Sequence, residues 1–338
     1  MEQLTFHGPG LLRWEHVPEP TLSTPRSALV RPVAVAACDL DGALMESRVP
    51  LAGPFPLGHE FVGVVVEVGT AVATLEAGQR VSVPFQISCG ECKRCRTGLT
   101  ANCEAVPPLS SYGLGTFGGL RWGGALSDLV EVPFADAMAL PVPDGIAPHS
   151  LASLSDNMAD AYRTVSSTNP GDEVLVVGGG SIGLYAAGLA VGRGAGVTYL
   201  DISADRCMIA ERLGADVELR ELTRPIRPRP LVVHTSADPA QLANALLSTD
   251  YGGTCIDTSI FFNVSVPLPL LSMYGRGVTF RTGRPHVRAV MPALLTEITS
   301  GHFDPAAVTS EIVDFVHAVE ALAAPGTKVV LVRSEELG

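Results

Sequence analysis

Four cysteines fall within fifteen residues, at Cys89, Cys92, Cys95 and Cys103. Their C-x2-C-x2-C-x7-C spacing lets four thiolates of one loop converge on a tetrahedral ion at about 2.3 Å. Four sulfurs fill the coordination sphere, so a zinc ion here would fix a lobe and offer no position to a substrate. The intervening Lys93, Arg94 and Arg96 offset part of the thiolate charge. A pair of loop disulfides, four free thiols or a four-cysteine iron–sulfur centre are the alternatives, and the clustering favours metal. A second group with ligand chemistry lies upstream. Cys38 sits in AACDLDGAL after a strand-like run, and His59 and Glu60 sit in PLGHEFVG before another. Taken singly, such residues are more often buried small groups or satisfied core groups than ligands.

Gly178, Gly180 and Gly183 form G-x-G-x-x-G within VVGGGSIGL, after the strand-like EVLVV and at the start of an apolar helix. In that context the glycines serve a tight turn, close approach to a pyrophosphate and helix–strand packing. Ser181 and Ile182 complete the helix start, whose N–H groups and positive dipole end suit a phosphate. Asp201 ends the next strand, eighteen residues beyond Gly183. A carboxylate there can take both hydroxyls of the adenosine ribose and repels a 2′-phosphate, which favours NAD over NADP.

The elements that must carry these residues follow from the hydrophobic pattern. Up to about residue 145, short β-branched runs (28–37, 61–68, 80–84) are punctuated by Gly and Pro, which reads as a β-rich domain with irregular loops. From Asp172 the chain alternates strand and helix: EVLVV, a Gly-rich helix, VTYLD, then SADRCMIAERLGA, a βαβ unit opening a parallel sheet. LVVHTS, GGTCIDTS and VTFRTG read as further strands, with helices at PAQLANALLS and RAVMPALLTEITSG. The closing AVEALAAPGTKVVLVR gives a helix, a turn and a strand that can return to the first domain.

With 338 residues, 46% of them apolar, the chain is long enough for two cores. A net charge of −12 argues against nucleic acid or an anionic membrane as partner. The charge-free stretch 174–192 contains six Gly at a strand-to-helix turn, which argues against a membrane span. The N-terminal MEQLTFHGPGLLRWEH has no apolar leader core, so the expected location is cytoplasmic. Cys207 and Cys255 read as buried apolar residues. No P-loop lysine and no G-x-S-x-G elbow appears, which leaves phosphoryl transfer and serine hydrolysis unsupported.

The ordered set of Cys38, Gly58-His59-Glu60, the four-cysteine lobe, the dinucleotide fingerprint and the closing GTKVVLV resembles the zinc-dependent medium-chain dehydrogenase/reductase family, over essentially the whole chain. The resemblance implies an α/β protein with an N-terminal GroES-like, β-rich catalytic domain over 1–148, completed by about 290–338, and a doubly wound Rossmann domain over 149–289. It implies a catalytic zinc held by Cys38, His59 and Asp156 of SLSDNMADAY, with Glu60 able to approach the metal. A thiolate, a carboxylate and a neutral imidazole cancel Zn²⁺ and leave one position open. Asp41 would hold the second ring nitrogen of His59. Arg206 would lie near the adenosine ribose and Lys328 near the pyrophosphate.

Two zinc ions per chain, NAD as cofactor and an alcohol or carbonyl as substrate follow from the same resemblance, as does a homodimer or homotetramer. Zinc would act as Lewis acid while hydride passes between substrate and nicotinamide. The sequence departs from the pattern at Leu40, where most alcohol dehydrogenases carry a Ser or Thr to relay the substrate proton. The stretch after Asp156 reads ADAY and lacks the Thr-Gly of the subgroup with Asp at this position. A zinc-structured NAD-binding protein with little turnover is the alternative.

Overall fold

A computed structural model describes residues 1–262, 265–323 and 326–336. They form two compact units, one of 1–159, 285–296 and the segment from 309 onward, the other of 160–284 and 297–308. Part of the turn expected in AVEALAAPGTKVVLVR, residues 324 and 325, lies outside the described residues.

In the first unit, strand Ala28–Ala36 is buried along nearly its whole length, as its run of small and β-branched residues requires. It pairs antiparallel with Glu60–Val68 on one side and with Val329–Val332 on the other. The register sets Ala36 opposite both Glu60 and Val330. Cys38, Glu60 and Lys328 therefore meet at one end of three adjacent strands although 268 residues separate the last two in sequence. Arg80–Val83 and Leu140–Pro141 extend the sheet beyond Glu60–Val68, and Glu311–Asp314 extends it beyond Val329–Val332. Phe6, Phe55, Phe61 and Tyr112 lie in the core beneath.

In the second unit the described residues form a six-stranded parallel sheet, in the order Asp216–Leu219, Gly196–Asp201, Glu173–Val177, Arg229–His234, Thr249–Asp257, Thr279–Thr282. The chain runs outward in one direction from Glu173–Val177 and then returns to its other side at Arg229–His234. The topological switch thus lies between these two strands, where doubly wound sheets bind ligands beyond the carboxyl ends. Helix Ser181–Gly192 is buried around most of its circumference. Its Gly188 leaves room for the Phe303 ring and its Gly192 for the His302 carbonyl.

The compact units divide after Ala159, eleven residues beyond the boundary expected at 148/149. Helix Pro148–Leu151 and the following 3-10 turn pack on strands Ala28–Ala36 and Glu60–Val68. Residues 297–308, expected with the first domain, belong to the second: Glu297 pairs with Arg193, and Phe303 meets Tyr185 edge to face. No helix of the described residues is long and apolar enough to cross a membrane.

Candidate metal centres and dinucleotide site

The sulfurs of Cys89, Cys92, Cys95 and Cys103 all lie within 4.8 Å of one another. No disulfide joins them. Backbone N–H groups of Glu91 and Cys92 donate to Cys89 Sγ, those of Cys95 and Glu104 to Cys92 Sγ, and those of Cys89 and Ala105 to Cys103 Sγ, each at 3.4 Å. Such donors stabilise thiolate sulfur; those from Glu104 and Cys95 pull the Cys92 thiol down to about 7. The loop thus fits a tetrathiolate zinc. It is also anchored by a residue to which the sequence assigned no role: Ala101 N–H donates to His286 Nδ1 at 3.2 Å.

The second centre is assembled by the strand register. Cys38 lies two residues beyond strand Ala28–Ala36 and caps the start of helix Asp39–Met45, with its N–H donated to Asp41 Oδ2 at 2.9 Å. Ser155, not anticipated from the sequence, fixes Asp156. Its hydroxyl accepts the Phe61 N–H at 2.8 Å and donates to the Ala152 carbonyl, and its own carbonyl accepts the Phe85 N–H. Donor atoms of Cys38, His59, Glu60 and Asp156 all lie within 4.8 Å of one another. Asp156 Oδ2 is 3.6 Å from Cys38 Sγ and 3.5 Å from His59 Nε2. Ligands at about 2.0–2.3 Å from a tetrahedral zinc stand about 3.3–3.8 Å apart, and both of these separations match that spacing.

The electrostatics point the same way. Burial pushes the Cys38 thiol well up, and the carboxylates of Asp156, Glu60 and Asp41 add to that. Burial also drives Glu60 up to about 8 against the pull of Lys328. For His59 burial opposes the charged ring, yet the hydrogen bond to Asp156 and the surrounding carboxylates outweigh it and hold the pKa at about 9. A buried cluster of mutually repelling acids gathering protons is what a divalent cation relieves.

Two expectations need correction here. Asp41 does not hold His59: among the described residues Asp41 Oδ1 and His59 Nδ1 are both buried without a hydrogen-bond partner, and the other Asp41 oxygen accepts the Cys38 N–H. Lys328 is not a surface base awaiting a phosphate. It is fully buried, and its ammonium donates to both Glu60 oxygens, at 3.1 and 2.9 Å, and to the Ala37 carbonyl at 2.8 Å. Leu40 packs on the core and supplies no proton relay.

In the parallel-sheet unit, a Cβ on Gly178 would lie 2.5 Å from Asp201 Oδ2 and 2.6 Å from the Tyr199 hydroxyl. Gly180 has φ +94°, which favours glycine. A Cβ on Gly183 would crowd Thr235 Oγ1 at 2.9 Å. Ser181 and Ile182 open the helix, with Ser181 buried. Asp201, expected to stand open to a ribose, is instead closed by protein donors. Arg206 binds it through Nε and Nη2 at 2.7 Å each, the Tyr199 hydroxyl at 2.8 Å and the Ser203 N–H at 2.9 Å. Cys207 and Cys255 are buried.

Residues 24–144 match the alcohol dehydrogenase GroES-like domain, and residues 147–256 match the alanine dehydrogenase/PNT C-terminal domain. A probable zinc-binding alcohol dehydrogenase of Mycobacterium tuberculosis is 29% identical over 90% of this chain and 80% of its own length. A medium chain reductase/dehydrogenase from an Acremonium species is 32% identical over 64% of this chain and 74% of its own. The solved alcohol dehydrogenase of Thermus sp. ATN1 superposes with a TM-score of 0.91 at 30% identity, covering 98% of this chain and all of that one. The chain belongs to the zinc-dependent medium-chain dehydrogenase/reductase family, of the alcohol dehydrogenase type. It is accordingly an oxidoreductase built from a GroES-like and a Rossmann domain.

Proposed function

We propose that the protein transfers hydride between an alcohol, or the corresponding aldehyde or ketone, and NAD(H). The observation that carries this is Asp156 Oδ2 at tetrahedral ligand spacing from both Cys38 Sγ and His59 Nε2, all within 4.8 Å of one another, with charges that cancel a divalent ion. When bound, zinc supplies a Lewis acid for the substrate oxygen and the dinucleotide supplies or takes the hydride. The chain's own residues set the conditions. Cys38 and Asp156 neutralise the ion, and Lys328 holds the Glu60 carboxylate beside the site. Leu40 offers neither donor nor acceptor, so the substrate proton leaves by a route that does not use residue 40. Asp201 favours NAD, and closure of its carboxylate by Arg206 moderates that preference. We further propose a cytoplasmic homo-oligomer.

Zinc counting on the wild type and Cys38→Ser, with NAD⁺ reduction assayed across a panel of small alcohols, tests the reading. A fall from two zinc to one with loss of turnover is expected. The apolar residue at the relay position favours a second reading, a dinucleotide-binding protein with only the four-cysteine zinc; one zinc in both forms and no turnover would establish it instead.

A further inference from the structure

Beyond the glycine loop, the carboxyl ends of the parallel strands carry a hydrogen-bonded chain that the hydride chemistry does not use. Asp257, ending strand Thr249–Asp257, accepts from His234 Nδ1 at 2.8 Å and from the Ser259 N–H at 3.2 Å through the same oxygen. His234 Nε2 lies 2.8 Å from Ser236 Oγ. The imidazole is wholly buried, Asp257 is nearly so, and the Phe261 ring is stacked parallel to the histidine. Ser236 is half-buried. It sits at the topological switch, directly against the glycine loop: a Cβ on Gly179 would fall 2.6 Å from Ser236 Cα. The hydroxyl of Thr258, next to Asp257, is buried without a hydrogen-bond partner among the described residues.

The direction of this chain follows from what each group can do. An ionised carboxylate only accepts, so His234 Nδ1 carries the proton. In the tautomer with that proton, Nε2 offers a lone pair, to which the Ser236 hydroxyl donates. With its proton committed, Ser236 Oγ keeps only lone pairs, one of which meets the Asp238 N–H at a long 3.4 Å. It therefore suits a hydrogen-bond donor and disfavours a phosphate oxygen. A pyrophosphate gripped by the neighbouring glycine loop has a ribose attached on each side, and ribose hydroxyls are the donors within reach of that grip.

We propose that Ser236, oriented by the His234–Asp257 pair, accepts a hydrogen bond from a ribose hydroxyl of the bound dinucleotide and acts as a positioning residue for it. This rests on the reading of the second unit as a dinucleotide site, and the test separates the two. Direct binding is measured for NADH and for two analogues, one lacking the adenosine-ribose hydroxyls and one lacking the nicotinamide-ribose hydroxyls, on the full-length wild type, Ser236→Ala and Ser236→Thr. Ser236→Ala is expected to weaken NADH about tenfold, the worth of one good hydrogen bond, with Ser236→Thr restoring it to within about twofold. The Ala effect should vanish for one analogue and persist for the other, because the serine has no partner in the first. An equal loss for all three ligands, or no loss for NADH, overturns the proposal. Failure of the wild type to bind NADH at all would overturn the dinucleotide reading itself.

Discussion

At the scale of single residues, the site is a problem of buried charge. Glu60 and Lys328 are both fully buried and ion-paired, beside Cys38 and Asp156. Removing one partner of such a pair leaves an uncompensated charge and costs about 3–5 kcal/mol. Lys328→Met is therefore expected to lower stability by that order in urea unfolding above pH 8, where Glu60 is ionised. The pH dependence has a definite sign. In the metal-free protein Glu60 is held up at about 8 in the folded chain, whereas an unfolded glutamate titrates near about 4.3. Between those values the folded chain keeps a proton that the unfolded chain has shed, so stability falls as pH rises through this window. Loss of Lys328 raises the Glu60 pKa further and carries the fall to higher pH at the same slope, since one group exchanges one proton. Adding Glu60→Gln to Lys328→Met should remove the Glu60 share of the slope and recover most of the loss; a single variant as stable as its parent above pH 8 would contradict the account.

At the scale of elements, the proposed preference for NAD rests jointly on the end of strand Gly196–Asp201 and the first turn of helix Ala204–Arg212. The N-cap Ser203 starts that helix by accepting the Arg206 N–H, which returns the arginine side chain onto Asp201. Tyr199 reaches the same carboxylate from beneath, in space kept clear by the absence of a side chain at Gly178. Asp201→Ala is expected to narrow the preference for NADH over NADPH by about tenfold, and Arg206→Leu, which frees the carboxylate and removes a positive charge, to widen it by a similar factor. Titration of both dinucleotides against both variants checks this. An unchanged ratio in both would take Asp201 out of cofactor discrimination.

At the scale of the whole molecule, one surface stands out. Helix Leu270–Arg276 buries none of its residues, with Leu271 85% and Tyr274 87% exposed, and it leads into Thr279–Thr282, the edge strand of the parallel sheet. An apolar helix beside an unpaired strand edge is a liability in an isolated chain and an asset in a self-associating one. Sedimentation of the wild type is expected to give a dimer or tetramer, and Leu271→Glu combined with Tyr274→Glu a smaller species. A wild type that remains monomeric at every concentration would assign the exposed residues elsewhere.

The sequence by itself determined what rests on local pattern. The four-cysteine spacing brings its own ligands together within one loop. The strand–glycine–helix run defines the dinucleotide loop, because a tight turn and a helix start are set by neighbouring residues. The strand-like runs at Ala28–Ala36, Glu60–Val68 and Glu173–Val177 were legible from their β-branched composition. Cys38, His59 and Asp156 were recognisable only through family resemblance, since nothing local ties them to one another. The tertiary structure decided what depends on register and burial. It joined Lys328 to Glu60 across three strands, left Asp41 Oδ1 and His59 Nδ1 without partners, and closed Arg206 over Asp201. It also aligned Asp257, His234 and Ser236 at the sheet switch. Antiparallel pairing and parallel crossovers bring together residues far apart in the chain, and burial then fixes which polar groups must satisfy one another; neither is written in the spacing of residues along the sequence.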